Sequence, residues 1–268
     1  MSTAGDAEAF LRAYHARDPG ATRRAVARGR VVGTDGSSYQ LLAALAPPGA
    51  RVLDLACGDG PVLDALVAAG HDPARLIGVD VSAEELAAAI TAAPRLRARA
   101  DALPLATASI DACVSHLALM LMPDLDPVIA ELRRVLRPGG RLAAVIGGGP
   151  GLGDAFERFA ELAQPLLRTP PLTDRRLRRA DGIAAAFAPL GAVTQRDLDV
   201  DLAGPIDAVW STVSAHYGLA GASATDLLLL RTAFATSVAD LAVDGVVPCT
   251  MHLRLVEVAE VGTGSAAG

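Results

Sequence analysis

A chain of 268 residues with a net charge of −6 is long enough for one α/β domain with additional helices. This acidic balance offers no broad positive field to a phosphate backbone, so we expect no nucleic-acid partner. Because no apolar run reaches the roughly 20 residues that span a bilayer and no signal-peptide pattern opens the chain, we expect no membrane association and a cytoplasmic location.

The N-terminal 48 residues predict a helical region, called the N-terminal cap below. Apolar residues recur at helical spacing over residues 7–17 and 39–46, and a segment rich in Gly and Arg separates the two stretches. Pro47-Pro48-Gly49 then ends the pattern.

Residues 49–150 predict the core of an α/β fold. Short apolar strands are expected over residues 51–56, 75–79, 95–100, 110–115 and 142–146. Helices are expected between them over residues 61–69, 84–92 and 126–136. This alternation indicates a doubly wound, Rossmann-like sheet of parallel strands.

Residues 151–268 predict a C-terminal half with a looser pattern. Helices are expected over 154–167 and 181–190, strands over 193–202 and 249–259, and further helices within 206–241. The two strands bring the sheet to seven, mostly parallel with an antiparallel last strand. The helical stretch at about 204–246, called the lid below, is expected near the carboxyl edge of the sheet. We therefore expect a single domain over residues 1–268.

The sharpest local motif is the glycine-rich turn that follows the first core strand. It reads Val52-Leu53-Asp54-Leu55-Ala56-Cys57-Gly58-Asp59-Gly60. The glycines let the backbone approach a ligand closely, and the helix that begins at Pro61 points its N-terminus at the turn. Such a turn can hold a nucleotide or an amino-acid-like group.

Two further acidic residues end or follow the next two strands. Asp80 stands where a carboxylate accepts hydrogen bonds from both ribose hydroxyls. Dinucleotide enzymes require G-x-G-x-x-G at the first turn, but Leu63 stands three positions after Gly60 and Ala56 takes the first glycine position. A pyrophosphate is therefore disfavoured, and the single nucleoside of S-adenosylmethionine (SAM) is favoured. Asp101 is placed to accept a hydrogen bond from the adenine amino group.

Residues 51–146 resemble the SAM-binding core of class I methyltransferases, of the kind common in bacterial small-molecule and quinone methylation. The matching positions are the turn at 54–60, Asp80, the pair Asp101-Ala102, and the stretch from Ile110-Asp111 to Arg137-Pro138-Gly139-Gly140. Ala56 departs from the glycine pattern by one methyl group.

The resemblance implies a set of cofactor contacts. Asp54 and the backbone at Ala56, Gly58 and Gly60 would hold the methionine end of SAM, with S-adenosylhomocysteine (SAH) as the product. The remaining expected contacts, at the ribose, the adenine, the sulfonium and the N-terminal cap, are Asp80, Val81, Asp101, Ala102, Leu103, Ser115, His116, Leu117, Tyr14, Arg30 and Tyr39.

A hydroxyl acceptor needs a base as well as alignment with the methyl group. His116, just past the fourth strand, is the best-placed histidine, and His216 in the lid is the second. The alternative for both histidines is a side chain that is merely packed in the core or exposed to solvent, with no catalytic role. We expect no metal site, since Cys57, Cys113 and Cys249 form no CxxC pair.

The leading hypothesis is methyl transfer to a small bacterial metabolite of the natural-product type. Oxygen is the expected methylated atom, and nitrogen and carbon are the alternatives. One alternative keeps SAM but catalyses a rearrangement or cyclisation without methyl transfer. Another is a non-catalytic SAM-binding module. A small molecule is the expected partner, and a homodimer is possible.

Overall fold

The computed structural model describes residues 4–168 and 174–261. Its strands form one sheet in the order β1-β7-β8-β6-β5-β2-β3-β4. The five strands from β4 to β6 run parallel, and β8, β7 and β1 extend the sheet antiparallel. The strands are β1 Arg30–Val31, β2 Val52–Leu55, β3 Leu76–Asp80, β4 Arg95–Arg97, β5 Ile110–His116, β6 Leu136–Pro150, β7 Ala192–Asp201 and β8 Thr250–Val261.

Helices cover both faces of this sheet, and several begin at a capping residue. Ser37 and Gln40 form a capping box at the start of α3, and Pro61 occupies the first turn of α4. Within the described ranges, no helix is long and apolar enough to cross a membrane. The helices are α1 Ala4–Arg17, α2 Ala21–Val26, α3 Ser38–Leu45, α4 Pro61–Ala68, α5 Ala83–Ala88, α6 Asp126–Val135, α7 Ala155–Ala163, α8 Ala180–Phe187, α9 Ile206–Ser214 and α10 Ala224–Ser237.

The predicted doubly wound, mostly parallel sheet is confirmed, with eight strands in the described part of the chain in place of the predicted seven. The additional strand is β1, in which Arg30 pairs with Asp201 and Val31 with Val200. Two residues are too few to show a period of two, so this strand could not be predicted from the residue pattern. β6 is longer than predicted because the Arg137–Gly140 turn is a bulge inside it, between the pairs Ile110–Leu136 and Ala112–Arg141.

Alternating strand residues feed two separate apolar cores. Val52 and Val114 pack with α3 and α4 on one face, whereas Leu53 and Cys113 pack with α6 and α8 on the other. From β2 the next strands, β3 and β4, are added on one side, whereas β5 and β6 are added on the other. The carboxyl ends of the parallel neighbours β2 and β5 therefore open a crevice at a topological switch point.

Candidate active site

A cavity of about 310 Å³ lies at the carboxyl ends of β2, β3 and β5. Eight of the residues predicted to bind the cofactor line it: Tyr39, Asp54, Ala56, Gly58, Asp80, Val81, Asp101 and His116. Leu117, predicted to flank the sulfonium, also lines it. Among the described residues, the other predicted positions stand outside the lining: Tyr14, Arg30, Gly60, Ala102, Leu103, Ser115 and His216.

The turn after β2 curls through the left-handed backbone region. Ala56, Gly58 and Gly60 have φ angles of 57°, 52° and 84°. For the alanine this conformation costs about 1–2 kcal/mol, and glycine would avoid that cost. Ala56 therefore adopts the left-handed backbone conformation that a glycine would adopt at this position of the motif.

Asp80 is held in place by two backbone amides. Ser82 N–H donates to Oδ1 and Gly58 N–H donates to Oδ2, each at 2.8 Å. Burial raises the pKa of this carboxyl, and the two hydrogen bonds oppose that rise. Each carboxylate oxygen keeps capacity for a further hydrogen bond, which suits a pair of ribose hydroxyls.

A glycine in β3 brings that strand close to the turn. A Cβ atom at Gly78 would lie 2.7 Å from Cys57 Sγ and 2.8 Å from Leu63 Cδ1. A larger residue there would have to displace the buried side chains of Cys57 and Leu63, so this position favours glycine.

Asp54 has the least satisfied side chain in the cavity wall. It is 1% exposed, and neither carboxyl oxygen has a hydrogen-bond partner among the described residues. Burial, with a smaller contribution from Asp80, raises its pKa to about 8. The Tyr39 hydroxyl is likewise buried without a partner in the described structure. An unmatched acid and an unmatched hydroxyl in one cavity indicate a bound ligand.

The loop at Asp101, which the sequence predicts to bind adenine, departs from that expectation in its hydrogen bonds. Asp101 lines the cavity, but Arg99 Nε and Nη2 donate to its two oxygens at 2.8 and 2.9 Å, which lowers the pKa of this carboxyl. The Ala102 N–H donates to Arg99 O at 3.2 Å, and the Leu103 N–H donates to Glu131 Oε2 at 2.7 Å. The predicted Ala102 donor is therefore already used within the loop.

The other predicted positions outside the lining have structural contacts. The Ser115 hydroxyl donates to Leu55 O at 2.9 Å and ties β5 to β2. His216 is exposed and caps a 3₁₀ turn, where Nδ1 accepts from Gly218 N–H at 3.0 Å. Arg30 is exposed on the edge strand β1, with its guanidinium 3.4 Å from Asp35 O. Neither His216 nor Arg30 lines the cavity.

His116 does lie at the cavity, in a buried setting. Its Nε2 is 2.8 Å from Ser38 Oγ, and its ring centroid is 4.3 Å from that of Tyr39. Burial lowers its pKa to about 3, so the ring is neutral at physiological pH. A neutral ring with so low a pKa is a weak base, which argues against the predicted role.

Sequence reasoning missed the residues that join the N-terminal cap to the cavity. His15 Nδ1 of α1 lies 2.6 Å from Glu85 Oε1 of α5, and both Glu85 oxygens accept from Gly20 N–H at 3.1 Å. Tyr217 Oη lies 3.3 Å from His15 Nε2. None of these residues belongs to a local motif, since 70 positions separate His15 from Glu85 and about 200 separate it from Tyr217.

Two arginines that line the cavity are held in ion pairs. Arg23 of α2 lies 2.7 Å from both Asp59 and Asp64, and Arg99 pairs with Asp101 and with Glu8 of α1. Tyr14, expected to contact the cofactor, instead packs against Tyr217 at 4.5 Å and donates to Ala215 O at 3.2 Å. Tyr14 therefore packs behind Tyr217, which lines the cavity, and does not line it itself.

The sequence of the core is similar to the sequences of known methyltransferases. Residues 53–144 match the family model of a methyltransferase domain. The malonyl-[acyl-carrier protein] O-methyltransferase of Methylococcus capsulatus is 40% identical over 105 residues, which cover 37% of this chain and 38% of that protein. The ubiquinone/menaquinone biosynthesis C-methyltransferase of Rhizobium etli is 30% identical over 139 residues, 47% of this chain and 49% of that protein.

The fold extends beyond the matched segment. The phosphoethanolamine N-methyltransferase 2 of Haemonchus contortus, solved in complex with phosphomonomethylethanolamine and SAH, superposes with a TM-score of 0.51 at 17% identity. That match covers 84% of this chain and 53% of the solved one. Residues 53–144 are therefore a methyltransferase domain of the SAM-dependent class, as the sequence predicted. The chain spans less than half the length of each of the two sequence relatives.

Proposed function

We propose that this chain transfers a methyl group from SAM to a small-molecule acceptor, at an oxygen atom. One observation carries the cofactor assignment: the buried, unpartnered carboxyl of Asp54 lies in the same cavity as Asp80. A ligand that satisfies both acids presents a cation to the first and hydroxyl groups to the second, and SAM carries an ammonium and a ribose.

The residues of the cavity suit the parts of SAM. Asp54 would accept from the ammonium, whose charge offsets the cost of ionising a buried acid. Asp80, already oriented by two amides, would accept from the ribose hydroxyls. When bound, SAM supplies an electrophilic methyl group on its sulfonium.

The remaining wall supports a small, partly apolar acceptor. Leu117, Leu121 and Met122 line the cavity beyond the end of β5. Leu117 has a φ of 52°, a strained conformation for a leucine that turns the chain sharply at the cavity wall. Apolar side chains here exclude water from the acceptor and leave its orientation to the few polar groups nearby.

Calorimetric titration of SAM, SAH and NAD into wild-type protein and an Asp80→Ala variant tests the cofactor assignment. We expect micromolar binding of SAM and SAH and none of NAD. Asp80→Ala should weaken SAH binding by about 10- to 100-fold, because charge-assisted hydrogen bonds contribute about 1.5–3 kcal/mol.

Asp207→Ala is the matched control, since Asp207 is exposed and pairs with Arg231 away from the cavity. It should bind SAH as the wild type does. If Asp80→Ala does not fold, the wild-type preference for SAH over NAD decides the question. Absence of SAM and SAH binding, or preference for NAD, contradicts the proposed function. A methylated product with one SAH per turnover separates methyl transfer from rearrangement.

A further inference from the structure

A buried serine contacts the histidine at the end of β5. Ser38 is the first residue of α3 and is 1% exposed. Its Oγ lies 2.8 Å from His116 Nε2, and no other polar partner of this hydroxyl is found in the described part of the chain. The capping box of Ser37 and Gln40 fixes the start of α3 and thereby the position of Ser38.

The hydrogen bond has two possible directions with different consequences. If Nε2–H donates to Oγ, the serine proton is buried without an acceptor, which costs about 1–3 kcal/mol. If the hydroxyl donates to Nε2, the buried proton is satisfied and the neutral ring carries its own proton on Nδ1. The second arrangement satisfies the serine proton and leaves Nδ1–H, which has no partner in the described part of the chain, available to a molecule bound in the cavity that His116 lines.

We infer that His116 acts as a neutral hydrogen-bond donor to the methyl acceptor, and that Ser38 is the positioning residue that selects the Nδ1–H tautomer. This inference rests on the proposed function for the identity of the cavity. It replaces the role of general base predicted for His116 from the sequence. An N–H donor at this point requires an acceptor molecule with an oxygen that accepts a hydrogen bond.

The charged residues around the cavity restrict the chemical class of the acceptor molecule further. The lining carboxylates outnumber its arginines, and Arg23 and Arg99 are both already paired with acids. A carboxylate or phosphate substrate would compete with those acids for the same guanidinium groups. The acceptor class is therefore an uncharged oxygen compound, a carbonyl, phenol or enol, in which the oxygen that accepts from His116 adjoins the methylated atom. Where the methylated atom is a hydroxyl oxygen, its proton would leave to water, because a donating His116 does not take it up.

Long-range ¹H–¹⁵N NMR of protein labelled at its histidine ring nitrogens tests the inference without a known acceptor. We expect the His116 ring, identified by its loss in His116→Gln, to show the Nδ1–H pattern from about pH 5.5 to 8. Ser38→Ala should exchange the two ring-nitrogen shifts toward the Nε2–H form. Ser38→Thr, which keeps a hydroxyl, should restore the wild-type pattern.

An Nε2–H ring in the wild type overturns the inference, as does a tautomer that Ser38→Ala leaves unchanged. If Ser38→Ala does not fold, the wild-type tautomer alone decides. SAH titration into the same samples separates the two proposals. Normal SAH binding with the Nε2–H form contradicts only the inference, whereas absent SAH binding contradicts the proposed function.

Discussion

At the scale of single residues, the chain places two acids of different character at neighbouring strand ends. Asp80 is solvated by backbone amides, whereas Asp54 has no partner in the described structure and is stabilised in its protonated form. The apo protein thus carries an electrostatic cost at Asp54 that a bound cation removes. Function and stability oppose one another at this residue.

Stability should fall with rising pH because of Asp54. Its folded-state pKa of about 8 lies above the ordinary aspartate value of 3.8, so between these values the native state holds a proton that the unfolded chain has lost. The stabilisation is full below the unfolded value and is lost as the pH rises through the folded value. We expect the free energy of unfolding of Asp54→Asn, minus that of the wild type, to increase between about pH 5 and 8 by up to about 1.4 kcal/mol per unit.

Urea unfolding at several pH values measures this difference. The control is Asp207→Asn, the same substitution at an exposed ion-pair residue, measured at the same pH values. A difference for Asp54→Asn that does not change with pH would show that the carboxyl is ionised and satisfied in the folded protein.

At the scale of elements, a buried acid of α5 is one of the contacts that attach α1 to the core. Glu85 accepts from Gly20 N–H after α1 and pairs with His15 inside it. The neighbouring Glu84 is exposed and accepts from its own capping serine, Ser82, and it makes no hydrogen bond or ion pair to α1 within the described ranges. Substituting Glu85 therefore affects the packing of α1 on α5, whereas substituting Glu84 affects only the N-terminus of α5.

Glu85→Ala should loosen α1. Losing a buried acceptor leaves Gly20 N–H and His15 unmatched, at a cost of about 2–3 kcal/mol. We expect trypsin to cleave after Arg12 and Arg17 about 30- to 150-fold faster, which corresponds to about 2–3 kcal/mol of local opening energy. Glu84→Ala should cleave at the wild-type rate, and equal rates for both variants would contradict this account of α1.

Elements of the core could be predicted from the sequence because their signals are local. The strand-turn-helix unit at 52–68 carries its apolar run, its glycines and its N-terminal proline within one short window. α2 and β1 have no such window, since α2 is one and a half turns long and β1 is defined by its partner β7. The site divides likewise: Asp54 and Asp80 belong to motifs, whereas His15, Glu85 and Ser38 act through contacts distant in sequence.

At the scale of the whole molecule, the N-terminal cap and the lid form a connected wall beside the cavity. Thr212 Oγ1 of α9 donates to Ala25 O of α2 at 2.7 Å, and Arg28 Nη1 donates to Ala203 O at 2.9 Å. Phe159, Trp210 and Phe234 pack edge to face or tilted and join α9 to α7 and α10. A ligand that orders the cap should therefore also order the lid.

Hydrogen exchange followed by mass spectrometry tests this coupling. With saturating SAH, we expect slower exchange in residues 4–26 and 206–219 together, and no change in α8, which packs on the opposite face of the sheet. Thr212→Val removes the contact with α2 and should leave residues 4–17 protected while reducing protection at 206–214. Protection of the cap alone in the wild type would contradict the coupling.

The bond between Tyr14 and Ala215 joins positions 201 residues apart, which has a consequence for biosynthesis. During translation the N-terminal helices emerge long before the segment that receives them, and they remain without their partner until most of the chain has been made. The glycine-rich turn and its strands, whose contacts are closer in sequence, can assemble earlier. The wall beside the cavity is therefore among the last parts to form, and a ribosome-bound chain shorter than about 215 residues would have this side open.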